Sequence, residues 1–160
     1  MRKFGTVAVG GTFDEFHKGH RALILKAFEL GERVLIGLST DGFAKKLRKN
    51  RDIEPYEERL RELTVFLERN GLRRRAEIVP LDDPYGLTVT DGKIEALVVS
   101  RETKPRAYEI NEIRTKRGLC PLEIYVIEMV PADDHISISS TRIHLGEIDR
   151  EGRLVSKRDK

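Results

Sequence analysis

Apolar positions along this chain follow two alternating periods. Runs of the length of one buried strand fall at Phe4–Val9, at Arg33–Ser39, at Ala76–Pro80, at Ile94–Ser100 and at Leu122–Val130. Between them the spacing becomes helical. Ala22, Leu23, Ala27 and Leu30 share a face after the first run. Thr40 or Asp41 is placed to cap a short helix through Lys46, and Pro55 opens one through Leu67. A further helix is expected over Ala107–Lys116, and a last short one from Ser139 or Ser140. Strands separated by helices need crossover connections, which make neighbours parallel and put helices on both faces. The pattern predicts an α/β, Rossmann-like single domain with a five-stranded parallel sheet over residues 1–150, and a polar C-terminal tail over 151–160, expected to fray. It carries no information on strand order.

Composition narrows the function classes. No run approaches the ~20 apolar residues of a bilayer span. Gly10, Gly11 and Asp14 follow Arg2 and Lys3 too soon for a secretory signal, so no membrane association is expected. Cys120 is the only cysteine, which excludes an internal disulfide and fits a cytoplasmic chain. A net charge of +3 suits small anionic substrates and does not by itself call for nucleic acid. Charged residues make up 36% of the chain, with no glutamine and three asparagines, a composition that leans towards a thermophile.

Candidate chemistry concentrates in residues 10–20, Gly-Gly-Thr-Phe-Asp-Glu-Phe-His-Lys-Gly-His. The segment leads from the first strand into the first helix. In an open parallel sheet ligands bind beyond the carboxyl ends of strands, where the winding reverses. Gly10 and Gly11 are expected to make a tight turn with close backbone approach, leaving free N–H groups at the positive end of a helix dipole, a setting that favours phosphate. His17 and His20 are expected on one side of the first helical turn. The segment matches neither the dinucleotide fingerprint nor the phosphate loop. A shared zinc ion would need further ligands from Asp14, Asp133, Asp134 or His135, and no metal signature or partner thiol for Cys120 is present, so no metal ligand is assigned.

A second cluster, Ile138-Ser139-Ser140-Thr141-Arg142-Ile143, places three hydroxyls and a cation at the start of a helix. By itself it reads as an N-cap; beside the first segment it reads as the second jaw of a phosphate clamp. The basic stretch Lys45–Arg51 is either a solvated face or a lid over bound phosphates. Asp82 and Asp83 either face substrate or cap a turn with Pro84.

Gly-Thr-Phe-Asp with His17-Lys18-Gly19-His20 and a later Ile-Ser-Ser-Thr resembles the HxGH nucleotidyltransferase superfamily. Pro80–Gly86, Val98–Thr103 and Ile138–Ile143 narrow the resemblance to archaeal-type phosphopantetheine adenylyltransferase, from Thr6 to Gly152. The resemblance implies a nucleotidyltransferase domain over 1–150 that moves AMP from ATP to 4′-phosphopantetheine, with Mg²⁺ arriving on ATP. It implies that His17, Gly19 and His20 meet the ATP phosphates, with His20 stabilising charge at the α-phosphate. Thr12 would orient the attacking phosphate, and Gly10, Gly11 and Phe13 would shape the nucleotide pocket. Ser139, Ser140, Thr141 and Arg142 would hold the outer phosphates, and Lys45 and Arg101 the acceptor. Where the bacterial enzymes have an arginine three residues beyond the threonine, this chain has His144. Their Arg-Gly-Leu-Arg segment is replaced by Ser100-Arg101-Glu102.

Three other functions share parts of the pattern. A cytidylyl- or adenylyltransferase on glycerol 3-phosphate or flavin mononucleotide would keep the same clamp, and Arg142 directly after Thr141 occurs in some cytidylyltransferases. A non-catalytic nucleotide- or RNA-binding module agrees with the pI near 9.0. It lacks a stacking platform, with six phenylalanines, four tyrosines and no tryptophan. A class I aminoacyl-tRNA synthetase needs a larger body. No oligomeric state is encoded in the pattern.

Overall fold

Phe4–Gly11 forms the central strand, β1, of a five-stranded sheet. The computed structural model describes residues 2–48 and 52–155, so Lys49, Asn50 and Arg51 of the expected lid and 156–160 of the expected tail lie outside the described residues. Then come α1 (Lys18–Leu30), β2 (Gly31–Ser39), α2 (Asp41–Leu47), α3 (Tyr56–Arg69), β3 (Ala76–Leu81), β4 (Ala96–Ser100), α4 (Lys104–Lys116), β5 (Glu123–Ile127) and α5 (Ser140–His144). Single turns of 3₁₀ helix lie at Arg73–Arg75 and Gly86–Val89. The sheet order is β3-β2-β1-β4-β5, and all four pairings are parallel.

Residues of β1 alternate between two cores, as a strand buried on both faces requires. Val7 and Val9 join Val34, Ile36, Ala96 and Val98 under Ile24 and Phe28 of α1 and Leu63 and Leu67 of α3. Ala8, Leu35, Leu97 and Val99 face the other way, under Ala107 and Ile110 of α4. The chain thus builds the expected α/β sheet with helices on both faces. Winding runs outward from β1 to β3, then crosses back to β4, so the reversal lies between β1 and β4.

Boundaries shift where pairing decides them. Gly10 and Gly11 are strand, not turn, because they pair with Gly37 and Leu38 of β2. β5 stops at Ile127, short of the expected Val130, because its partner β4 ends at Ser100, the residue paired with Ile127. Residues 128–130 then leave the sheet edge. Residues 151–155 are no frayed tail. Gly152 is buried and its carbonyl accepts from Asp133 N–H at 2.8 Å, and Leu154 bridges Ile148. They pack near a third small core of Ala132, Ile138 and Ile148, where apolar contact and hydrogen bonds offset chain entropy.

Among the described residues, two arginines are fully buried. Arg59 of α3 donates to the carbonyls of Glu54, Thr12 and Ser39 and to Asp41, clamping the ends of β1 and β2. Arg114 of α4 donates to the carbonyls of Cys120, Thr88 and Asp91. These buried guanidiniums are tolerated because backbone carbonyls and, for Arg59, the Asp41 carboxylate take the place of water. Among the described residues, no helix is long and apolar enough to cross a membrane.

Candidate active site

A cavity of about 790 Å³ opens beyond the carboxyl ends of the strands, over the reversal between β1 and β4. Its walls bring together Gly10, Gly11, Thr12, Phe13, His17, Gly19 and His20 with Ser139, Ser140 and Thr141, which lie more than a hundred residues away in sequence. Both expected jaws therefore face one space. Lys45, Arg101 and Arg142 are not among the lining residues.

The first jaw is built differently from the expected open helix end. His17 is the N-cap of α1, in extended backbone, and its Nδ1 accepts from the N–H groups of Gly19 (3.0 Å) and His20 (3.3 Å). His20 returns the contact: its Nδ1 accepts from His17 N–H at 3.2 Å, closing a capping box. Lys18 N–H donates to the Arg150 carbonyl at 2.9 Å. The first amide groups of α1 are thus engaged within the protein, which corrects the expectation of free N–H groups there. Both histidines line the cavity, their imidazoles stacked with centroids 3.6 Å apart and planes within 17°.

Those hydrogen bonds assign the tautomers. With both Nδ1 atoms accepting, each neutral ring carries its proton on Nε2 and offers a directed N–H donor. Burial, followed by the charge of Arg21, pushes His17 down to about 4. Burial and the neighbouring His17 hold His20 well below the ordinary histidine value. Near pH 7 the pair therefore presents donors, not cations.

Local sequence explains the geometry. A Cβ at Gly19 would lie 2.9 Å from His17 Cε1, so only glycine lets the ring fold back over the helix end. Phe13 (φ 54°) and Glu15 (φ 52°) occupy the left-handed region, which is costly for residues with side chains. Burial of Phe13 and Phe16 and the edge-on contact of Phe13 with His20 (5.3 Å) hold the loop there. At Gly10 the missing side chain serves lateral packing: a Cβ would meet Leu81 at 3.2 Å. Thr12, with its carbonyl held by Arg59, sits with Oγ1 3.4 Å from Ser39 Oγ.

In the second jaw Ser139 is the N-cap of α5, its Oγ accepting from Arg142 N–H at 3.2 Å. That leaves the Ser139 hydroxyl proton for an acceptor in the cavity. Ser140 donates its own proton to the Asp14 carbonyl at 2.7 Å, tying the jaws together. Arg142 turns away, pairing with Asp134 and with Glu147 (3.0 Å) and donating to the carbonyls of Ile136 and Ser137. Its charge is spent on holding the loop before α5.

Of the remaining candidates, Lys45 and Arg101 are exposed. Arg48, at the end of α2, does line the cavity, as do Glu128, Met129 and Val130 where the chain leaves β5. Asp83 accepts from the N–H groups of Tyr85 and Gly86, both at 2.8 Å, and so takes the turn-capping role. Arg150, which no motif marked, meets Glu15, Glu54 and Glu62 (3.0, 3.4 and 2.8 Å). Its partners lie on three separate segments, so sequence spacing gave no sign of it. Among the described residues, no cluster of three or more His, Cys, Asp or Glu could hold a metal ion.

Comparison with known proteins follows the same lines. The sequence profile of the cytidylyltransferase-like family matches residues 8–145. The chain is 52% identical, over 98% of its length and 93% of the relative's, to a phosphopantetheine adenylyltransferase of Methanothermobacter thermautotrophicus. It is 50% identical, over 93% of its length and 94% of the relative's, to one of Methanopyrus kandleri. In three dimensions it resembles a protein of unknown function from Archaeoglobus fulgidus, with a TM-score of 0.71 and 32% identity, covering 84% of this chain and 99% of that one.

Proposed function

The chain belongs to the cytidylyltransferase-like family and, within it, to the group of archaeal phosphopantetheine adenylyltransferases, and we propose that it transfers AMP from ATP to 4′-phosphopantetheine, giving dephospho-coenzyme A and pyrophosphate. The carrying observation is that two neutral imidazole donors and the Ser139–Thr141 jaw line one cavity at the sheet's reversal point. A triphosphate lying between them has donors on both sides.

A terminal phosphate oxygen of the acceptor attacks the α-phosphorus of ATP in line. The bond from that phosphorus to the bridging oxygen breaks, and pyrophosphate leaves with the electron pair. The acceptor is already an anion, so no base and no covalent enzyme intermediate are required; positioning and charge stabilisation suffice. In this reading His20 donates from Nε2 to the α-phosphate as charge develops, and His17 donates to the neighbouring phosphate. Thr12 orients the attacking phosphate beside the end of β1. Ser139 and Thr141 meet the outer phosphates, and Ser140 and Arg142 hold that jaw in place. Of the cations near α2, Arg48 reaches the cavity wall while Lys45 stands outside it, so Arg48 is the better placed for the acceptor's phosphate.

Mg²⁺ fits as a companion of ATP. Phosphate oxygens and water would hold the ion, and the Asp14 carboxylate at the cavity wall, with Oδ1 accepting from Glu54 N–H (2.9 Å) and Oδ2 2.7 Å from His144 Nε2, can join them because a carboxylate oxygen takes more than one partner. When bound it neutralises charge on the leaving pyrophosphate. A cytoplasmic location goes with substrates of this charge.

The test is pyrophosphate release with ATP or CTP and Mg²⁺ over a panel of phosphorylated acceptors. Release with ATP and 4′-phosphopantetheine, and a product of dephospho-coenzyme A's mass, is expected. Turnover only with CTP or another acceptor would refute the substrate assignment, and ATP binding with no turnover would refute the activity.

A further inference from the structure

We infer that His144 is a positioning residue that sets the spacing of the two phosphate-binding jaws through the buried carboxylate of Asp14, an inference that rests on the adenylyl-transfer reading above. His144 Nε2 lies 2.7 Å from Asp14 Oδ2, and Asp14 is 1% exposed. Ser140, four residues earlier and at the other end of α5, donates to the carbonyl of the same residue at 2.7 Å. Positions four apart share a helix face. Asp14 therefore holds α5 at both ends of one face, fixing its distance from the first jaw and its roll about its own axis. Ser139 and Thr141 reach the cavity from the orientation so fixed.

On the other side, Asp14 is three residues before His17, inside the loop whose flanking residues Phe13 and Glu15 are in left-handed backbone. Such a loop has few conformations to relax into, so movement at Asp14 passes to the histidine pair. Glu54 N–H pins the other carboxylate oxygen at 2.9 Å. Glu15 Oε1 lies 3.9 Å from His144 Nε2 and is itself held by Arg150. His144 is not among the residues lining the cavity, so it reaches the substrate only through Asp14. The segment carrying α5 has its own small core of Ala132, Ile138 and Ile148 with Val130 and Ile143 packed on it, so removing the ring does not remove what folds the segment.

The test uses the full chain, with H144A, H144Q, D14A and the double variant D14A/H144A. ATP affinity is measured by calorimetry, turnover by pyrophosphate release, and folding by thermal melts. Glutamine's terminal amide reaches about as far as imidazole Nε2 and can donate to Asp14 in its place. The expected result is that H144A binds ATP about tenfold or more weakly, with the acceptor's KM within about twofold of wild type. H144Q recovers most of that loss, and the double variant binds ATP no worse than the weaker single, as for two residues acting in one path. Unchanged ATP binding in folded H144A overturns the inference, as does an H144Q as weak as H144A. Losses that multiply in the double variant overturn it too. If H144A does not fold, H144N, whose amide falls short of Asp14, takes its place. Should wild type prefer another nucleoside triphosphate, the functional reading fails on that result alone, and the variant series is read on the preferred triphosphate.

Discussion

Gly19 has no side chain, and the ring of His17 occupies the space where one would stand, with Cε1 2.9 Å and Nδ1 3.1 Å from an added Cβ. Two effects of Gly19→Ala therefore oppose each other. Alanine near a helix start stabilises the helix by up to ~1 kcal/mol relative to glycine. The same methyl group drives the His17 ring off the amide groups it caps. Loss of the cap costs about as much, so we expect the melting temperature to stay level or fall slightly while kcat/KM falls about tenfold or more. Kinetics and melts on one preparation check this, and unimpaired turnover would show that the close approach is dispensable. In the proposed reading His20→Ala removes one donor to the reacting phosphate and should lower kcat by roughly 10²–10³, with folding followed by the same melts. At this scale the sequence brought His17 and His20 to the cavity but said nothing of their bonds. Spacing placed both histidines on one helical turn, whereas His17 is the cap itself. A cap and a first-turn residue look alike in a string of letters.

Among the elements, α3 shows how far periodicity reaches. Its extent, opening at Pro55 and running through Leu67, was legible in the sequence. Arg59 was not, because an arginine in a charged helix reads as solvated face. In the structure it is 0% exposed and serves four acceptors, among them the carbonyls that end β1 and β2. Arg59→Met would leave those acceptors buried without a donor, and removing one member of such a group costs on the order of 3 kcal/mol. For a chain of this size that lowers the melting temperature by roughly 6–12 °C. Arg59→Lys should recover little, since an ammonium cannot span four separated acceptors. Calorimetry on both variants settles it: a melting temperature within about 2 °C of wild type would mean that the clamp does not support the sheet end.

For the whole molecule, the histidine pair makes stability depend on pH in a direction that can be worked out. His17 is lowered to about 4 and His20 well below the usual 6.5, mainly by burial. Below pH 6.5 the unfolded chain takes up protons at these sites while the native state does not, so stability falls as pH drops. Their contribution is complete above pH 6.5 and is lost progressively as pH falls, for His17 down to about 4. Glu54, raised by burial, works in the opposite sense, and Asp134 and Asp149 act lower because their values are depressed. Melts between pH 7 and pH 4.5 should therefore show a steady decline, reduced in a variant lacking both histidines. An equal decline in that variant would place the pH dependence elsewhere.

What the sequence determined by itself is what local periodicity and local spacing encode. Five apolar runs alternating with helical stretches specified a parallel sheet covered on both faces. Two short motifs marked residues that come to line one cavity. Only the tertiary structure decided the order β3-β2-β1-β4-β5, because each strand's neighbours are selected by packing between segments far apart in the chain. It also decided that residues 151–155 fold back, that Arg142 supports its loop, and that His144 meets Asp14 across 130 positions. Interactions at such separations leave no period in the sequence, since the free energy that selects them comes from burial and hydrogen bonding in the assembled fold.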